Sequence, residues 1–166
     1  MIKNMLLILG MLFSATVSAK EADGDIEWTK RQGVRLGYGY VNGVEHTPLK
    51  NRSLFVMGYE MQQARNGGSW LEILFIQNIS ISGLDQSVFA PSASMLAGAE
   101  INKQIQIGVG PNFAPFDPSD GDNYFHLVGA IGATIPAGDF SVPFHCSFIP
   151  DVDGYWRLAV TTGVNW

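Results

Sequence analysis

A chain of 166 residues that is 46% apolar and 15% charged, and that carries 19 glycines and 8 prolines, is the size of one domain. It is too polar and too often interrupted for a bundle of membrane helices. Ten Lys+Arg against fifteen Asp+Glu leave a net charge of −5 and a pI near 5.0, which argues against a nucleic-acid partner, because phosphate backbones are bound by cations that release their counterions. The single cysteine, Cys146, excludes an internal disulfide and a cysteine-rich zinc or iron–sulfur centre. No cofactor is expected.

The first 19 residues read as a secretory signal peptide. Met1 to Asn4 supplies one lysine, Met5 to Phe13 is a nine-residue apolar run, and Val17 and Ala19 are the small residues of a cleavage site before Lys20. The run is far shorter than the ~20 residues of a membrane-spanning helix. With no cysteine at the cleavage site, a lipid-anchored product is not expected either. An acidic stretch over 20–30 follows, and the folded domain is expected over 31–166.

From there the chain alternates with a period of two, in segments of roughly 10 to 14 residues bounded by Gly, Pro, Asn and Asp. Val34, Leu36, Tyr38 and Tyr40 alternate with Arg35, Gly37 and Gly39. Phe55, Met57, Tyr59 and Met61 alternate with Val56, Gly58, Glu60 and Gln62. The segments at Trp70–Ile81 and Ser87–Glu100 are strand-like, but apolar or small on both faces, so their frame stays open. Ile105, Ile107 and Val109 oppose Gln104, Gln106 and Gly108. Phe125, Leu127, Ile131 and Ile135 oppose His126, Gly132 and Thr134. Phe144, Cys146 and Phe148 oppose His145 and Ser147, and Trp156, Leu158, Val160, Val164 and Trp166 oppose Arg157, Thr161, Gly163 and Asn165. Eight strands result, joined alternately by tight turns and longer loops as in a meander of hairpins, except that the last connection, Asp151–Gly154, is short. Pro91 and Pro143 fall inside segments, so bulges or shifted boundaries are expected there.

Alternation alone fits both a membrane barrel and a water-soluble ligand-binding barrel. The polar positions favour the first, because they hold mainly Gly, Ala, Ser, Thr, Gln and Asn with isolated charges at Arg35, Glu60, Glu72 and Arg157. A wetted exterior would be dense in Lys and Glu, whereas sparse charge suits a narrow packed lumen. Aromatic residues near the segment ends match the girdles of lipid-facing barrels. A soluble periplasmic ligand-binding barrel remains the alternative.

The signal peptide, the eight alternating segments and the terminal run Trp156-Arg-Leu-Ala-Val-Thr-Thr-Gly-Val-Asn-Trp166 together resemble the small outer-membrane barrels of the OmpA-transmembrane and opacity-protein type. The resemblance covers essentially the whole mature chain, as a pattern. It implies an all-β, eight-stranded antiparallel up-and-down barrel in a Gram-negative outer membrane, with periplasmic termini and the longer loops outside the cell. It also implies that Trp166 is the signal read by the outer-membrane assembly machinery. The partners implied are outer-membrane lipids, that machinery, and an extracellular ligand or host surface.

Eight strands enclose a lumen just wide enough for side chains. Arg35, Glu60, Glu72 and Arg157 are therefore expected to pair as a plug, since an unpaired enclosed charge is costly, and the reading is non-enzymatic with no open pore. The one spacing that suggests chemistry is His145-Cys146-Ser147, which puts a base and a hydroxyl on one strand face. It resembles the His-x-Ser pair of outer-membrane lipid A deacylases, whose triad is completed by a Glu and faces lipid, whereas here the pair is expected to point inward. Placing the hairpin centre at Pro136–Asp139 sets His145 opposite Ala130 and about 13 Å from His126, too far for a shared metal. The same bookkeeping across Asp151–Gly154 sets Ser147 beside Arg157 on the lumen face. His46 reads as a loop residue, Cys146 as a small apolar residue, and the acidic runs 117–122 and 151–154 as turn chemistry, with a bound divalent cation as the alternative.

Overall fold

The computed structural model describes residues 27–44, 48–66, 70–115, 124–150 and 154–166. The signal peptide, residues 20–26, His46 and the acidic runs over 117–122 and 151–153 lie outside the described residues. Eight strands run in chain order: β1 Glu27–Val41, β2 Ser53–Asn66, β3 Leu71–Ser82, β4 Ala90–Ile101, β5 Ile105–Phe113, β6 Phe125–Ala137, β7 Phe140–Pro150 and β8 Trp156–Asn165. Each pairs antiparallel with the next, and β8 returns to β1 from Gly33↔Asn165 to Val41↔Arg157, so the sheet closes. Closure removes the unpaired strand edges that a bilayer does not tolerate.

The strands form where the alternation placed them, with three differences. First, β1 begins at Glu27, so residues 27–30 belong to the barrel, because β2 extends far enough to pair with them through Glu27↔Asn66. Second, β4 begins at Ala90. Ser87 adopts a left-handed φ of 62° to close a 3-10 turn over Leu84–Gln86, a conformation that cannot continue a strand. Third, the prolines cause no bulge. Ile81↔Pro91 lies in an unbroken β3–β4 ladder, and the β4–β5 ladder starts only at Ala93↔Phe113, so the nitrogen of Pro91 falls beyond it. At Pro143 the β7–β8 pairing lapses between Ser141↔Asn165 and Phe144↔Thr162 and resumes in the same register. The β4–β5 ladder lapses likewise opposite Pro111, between Ser94↔Asn112 and Ala97↔Val109. A missing donor here breaks hydrogen bonds without inserting a residue.

Two of the described connections are tight and lie at the same end of the barrel as the start of β1 and the end of β8. Asn102 and Lys103 both take left-handed φ and Gln104 N–H donates to Ile101 O, while Gly138 and Asp139 alone link β6 to β7. The opposite end carries the longer connections.

The two faces are inverted relative to a water-soluble protein. Tyr38 (66% exposed), Phe125 (62%) and Ile131 (56%) point outward while Arg35 (1%) and Glu60 (3%) point inward. β3 and β4, whose frame alternation left open, turn Ile73 and Phe75 outward and Glu72, Leu74, Ile76, Leu96 and Glu100 inward. Aromatic contacts gather near both rims: Tyr40–Trp156, Phe148–Trp156 and Phe113–Phe125 at the loop end, Trp28–Phe75 and Tyr59–Trp166 at the turn end. An apolar belt around the whole circumference, bounded by aromatic rings, is a surface for hydrocarbon, and the barrel spans a membrane. The soluble alternative fails on this exterior.

The interior is not wholly polar. Ala64, Leu74, Ile76, Leu96 and Val128 form one buried cluster, and Val41, Leu54 and Val56 a second.

Candidate functional site: the barrel lumen

The turn-end half of the lumen holds a connected polar network, built because period two brings every second residue of each strand inward. At its centre Arg35 Nη2 donates to Glu60 Oε1 at 2.6 Å and to Asn165 Oδ1 at 2.7 Å. Gln62 Nε2 donates to the same Glu60 oxygen at 2.7 Å, and Asn78 Nδ2 to Oε2 at 3.3 Å. His145 crosses from β7, with Nδ1 3.3 Å from Glu60 Oε2 and Nε2 2.8 Å from Gln106 Oε1. Gln106 Nε2 donates to Gln62 Oε1 at 3.1 Å and to Glu100 Oε1 at 2.6 Å. Arg31 Nη2 closes the chain of contacts, 2.7 Å from both oxygens of Glu100. The network takes side chains from every strand except β6.

Its membership differs from the four charges singled out by alternation. Arg35 and Glu60 meet. Glu72 does not join them: it is buried at the turn end of β3, directly opposite Glu100, and its Oε1 has no hydrogen-bond partner among the described residues. Arg157 stands at the other end of the lumen, because the strands are staggered and it pairs with Val41 on one side and Ile149 on the other. Arg31, Gln62, Asn78, Glu100, Gln106, His145 and Asn165 take the places in the network that were assigned to Glu72 and Arg157. Most of these residues were visible as inward polar positions, but nothing local marks them as mutual partners.

His145 and Ser147 both face inward, and the structure does not bring them together. Each ring nitrogen of His145 lies against an oxygen of Glu60 or Gln106, and Ser147 sits one step further toward the loops. The β6–β7 register lies two residues from expectation, because that turn is centred on Gly138–Asp139, and the β7–β8 register also differs, set by its own connection. His145 lies opposite Gly132, not Ala130, and Ser147 lies opposite Ala130 and Ala159, not Arg157. His126 is six residues along β6 from the partner of His145, so the two histidines are further apart than the 13 Å expectation. Among the described residues no cluster of His, Cys, Asp or Glu is suited to a metal ion.

Toward the loop end the lumen opens into a cavity of about 190 Å³. Its floor is the inner surface of the network at Arg35, Glu60 and His145, one wall is Val41, Leu54 and Val56, and the adjoining β3–β4 wall carries the hydroxyls of Ser80 and Ser92, 2.8 Å apart. The rim is fastened by side chains that bind backbone. Gln86 Oε1 accepts from the amides of Lys50 and Asn51, both at 2.8 Å, and its Nε2 donates to Ser53 O at 2.7 Å. Asp85 accepts from Phe55 N–H at 3.0 Å, and Asn42 Oδ1 accepts from Trp156 N–H at 2.8 Å.

A closed eight-stranded meander with a lipid-facing belt and a polar network across its lumen is a barrel of the outer-membrane type. Two solved structures are similar to it. One is the Yersinia pestis outer membrane protein Ail, whose backbone structure was determined in a phospholipid bilayer nanodisc. It shows 15% identity and a TM-score of 0.43, over 81% of this chain and 99% of that one. The other is a de novo designed transmembrane β-barrel, with 9% identity and a TM-score of 0.46, over 89% of this chain and 98% of that one. No protein-family model and no curated protein matches the chain.

Proposed function

We propose that this chain is a structural or surface-interaction protein of the Gram-negative outer membrane, anchored by its barrel, with the longer loops outside the cell and a lumen closed to solutes. The observation that carries this reading is the network from Arg31 to His145: it crosses the lumen, with Arg35 and Glu100 each 1% exposed. Eight strands leave little more than side-chain width, so a hydrogen-bonded crossing of this kind is a plug. The sequence between β5 and β6 carries Asp117, Asp120 and Asp122, and this acidic segment is the part proposed to meet an extracellular ligand or host surface. Trp166, exposed directly after β8 beside Tyr59, is the residue this reading assigns to the assembly machinery. The reading is non-enzymatic, because His145 is engaged by Glu60 and Gln106 and Ser147 is out of its reach.

Planar-bilayer recording tests the plug. The wild-type protein is expected to give no steady conductance, and the Arg35→Ala/Glu60→Ala/Gln106→Ala variant to give small cation or anion steps. A wild-type protein that conducts steadily overturns the reading. Lipid A mass spectrometry of cells expressing the protein tests the enzymatic alternative: a changed acylation pattern that Ser147→Ala restores would establish it.

A further inference from the structure

We propose that the loop-end cavity of the lumen is a binding site for a small neutral amphiphile, with a single apolar ring or short chain and one hydroxyl or amide donor. The proposal goes beyond a closed anchoring barrel, since a plug requires only the turn-end half of the lumen.

Size sets the first limit. A cavity of about 190 Å³ is somewhat larger than the 150 Å³ that accepts benzene in an engineered protein interior, so the occupant has about eight to ten non-hydrogen atoms. Polarity sets the second. The wall of Val41, Leu54 and Val56 is a buried apolar cluster, and Leu96 and Val128 extend the apolar lining across the lumen. An aliphatic or aromatic body fits there without desolvating a polar group.

Asn112 supplies the recognition point. It is 4% exposed and lines the cavity, and its Nδ2 is spent on Ala93 O at 3.4 Å, yet its Oδ1 is buried with no donor among the described residues. A buried acceptor without a partner is costly, and a ligand O–H or N–H satisfies it. The floor asks for no charge: both oxygens of Glu60 are already occupied by Arg35, Gln62, Asn78 and His145. The site is also built before a ligand arrives, because Gln86 holds the rim through backbone hydrogen bonds, and preorganised sites lose less affinity to ordering.

The test uses the refolded full-length mature protein in lipid nanodiscs, methyl-labelled at Ile, Leu and Val, titrated with 4-propylphenol and, in parallel, propylbenzene. Saturable shifts are expected at the methyls of Val41, Leu54, Val56 and Leu96, with the outward Val34, Leu36 and Val160 changing only linearly as the probes enter lipid. Asn112→Leu, similar in size and folded by heat-modifiable migration, is expected to weaken the phenol about tenfold and leave propylbenzene unchanged. Leu54→Trp, which fills the cavity, is expected to abolish saturation by both probes. Linear shifts throughout in the wild type overturn the site. Equal phenol affinity in Asn112→Leu overturns the role of Asn112. Tighter saturation by 4-propylbenzoate overturns the neutral assignment, since Arg157 also reaches the lining.

Discussion

The imidazole of His145 occupies the space that a side chain on Gly132 would need. The two residues face each other across the β6–β7 ladder, and a methyl group on Gly132 would come to 2.1 Å from Cδ2 of His145 and 2.9 Å from the carbonyl oxygen of Phe144. The glycine lets the ring lie flat against the inner wall of the barrel and reach Glu60 and Gln106. Gly132→Ala is therefore expected to evict His145 from the network and to destabilise the barrel by about 1–3 kcal/mol, read as a lower urea midpoint in detergent micelles. Gly129→Ala on the same strand, with nothing within 4 Å of the added methyl, is expected to leave the midpoint unchanged.

Arg35 and Glu60 are buried together and hydrogen-bonded to each other, so removing either partner strands a charge. Arg35→Met is expected to cost about 3–5 kcal/mol. Glu60→Leu is expected to cost more, because Gln62, Asn78 and His145 lose their acceptor as well. The double variant is expected to lose at least about 1 kcal/mol less than the sum, which a double-mutant cycle of unfolding in vesicles would detect. Additive losses would mean that the two side chains act independently.

The outward face is tested by charge at two depths. Ile131, in the middle of β6 and 56% exposed, is expected to tolerate arginine poorly, losing about 2–4 kcal/mol in a bilayer. Phe140, beside the β6–β7 turn, is expected to lose no more than about 1 kcal/mol on the same change. Equal and small losses at both positions, measured in lipid vesicles, would contradict a hydrocarbon surround.

Gln86 binds the backbone of the β1–β2 connection from the β3–β4 connection. Gln86→Ala is expected to leave the barrel strands as stable as before while the amides of Lys50 and Asn51 exchange with deuterium about tenfold faster or more, because their acceptor is gone. Unchanged exchange at those two amides would assign their protection to other contacts.

Strand number, the antiparallel order and the face of each regular strand were legible in the sequence, because side-chain direction alternates with period two and a one-residue slip would turn Val34, Leu36 and Tyr38 into the lumen. Arg35, Glu60, His145 and Asn165 were thereby known to point inward. Leu74, Ile76 and Leu96 were not, since β3 and β4 are apolar or small on both faces and carry no usable alternation. Which inward residues touch was not legible either. Gln62 and Gln106 are 44 positions apart, and Arg35 and Asn165 are 130 apart. Their contacts depend on how far each strand is staggered against the next. That stagger is set by turns such as Gly138–Asp139 and summed around the closed sheet, so a two-residue shift at that one hairpin places His145 opposite Gly132 and not Ala130. Local pattern determined the wall of this barrel and which side faces lipid. Only closure decided that Arg35 and Glu60 are joined by His145 and Gln106, that Glu72 and Arg157 lie outside this network, and that the polar network occupies one end of the lumen and leaves a cavity at the other, because those facts belong to the shear of the whole sheet and to no single strand.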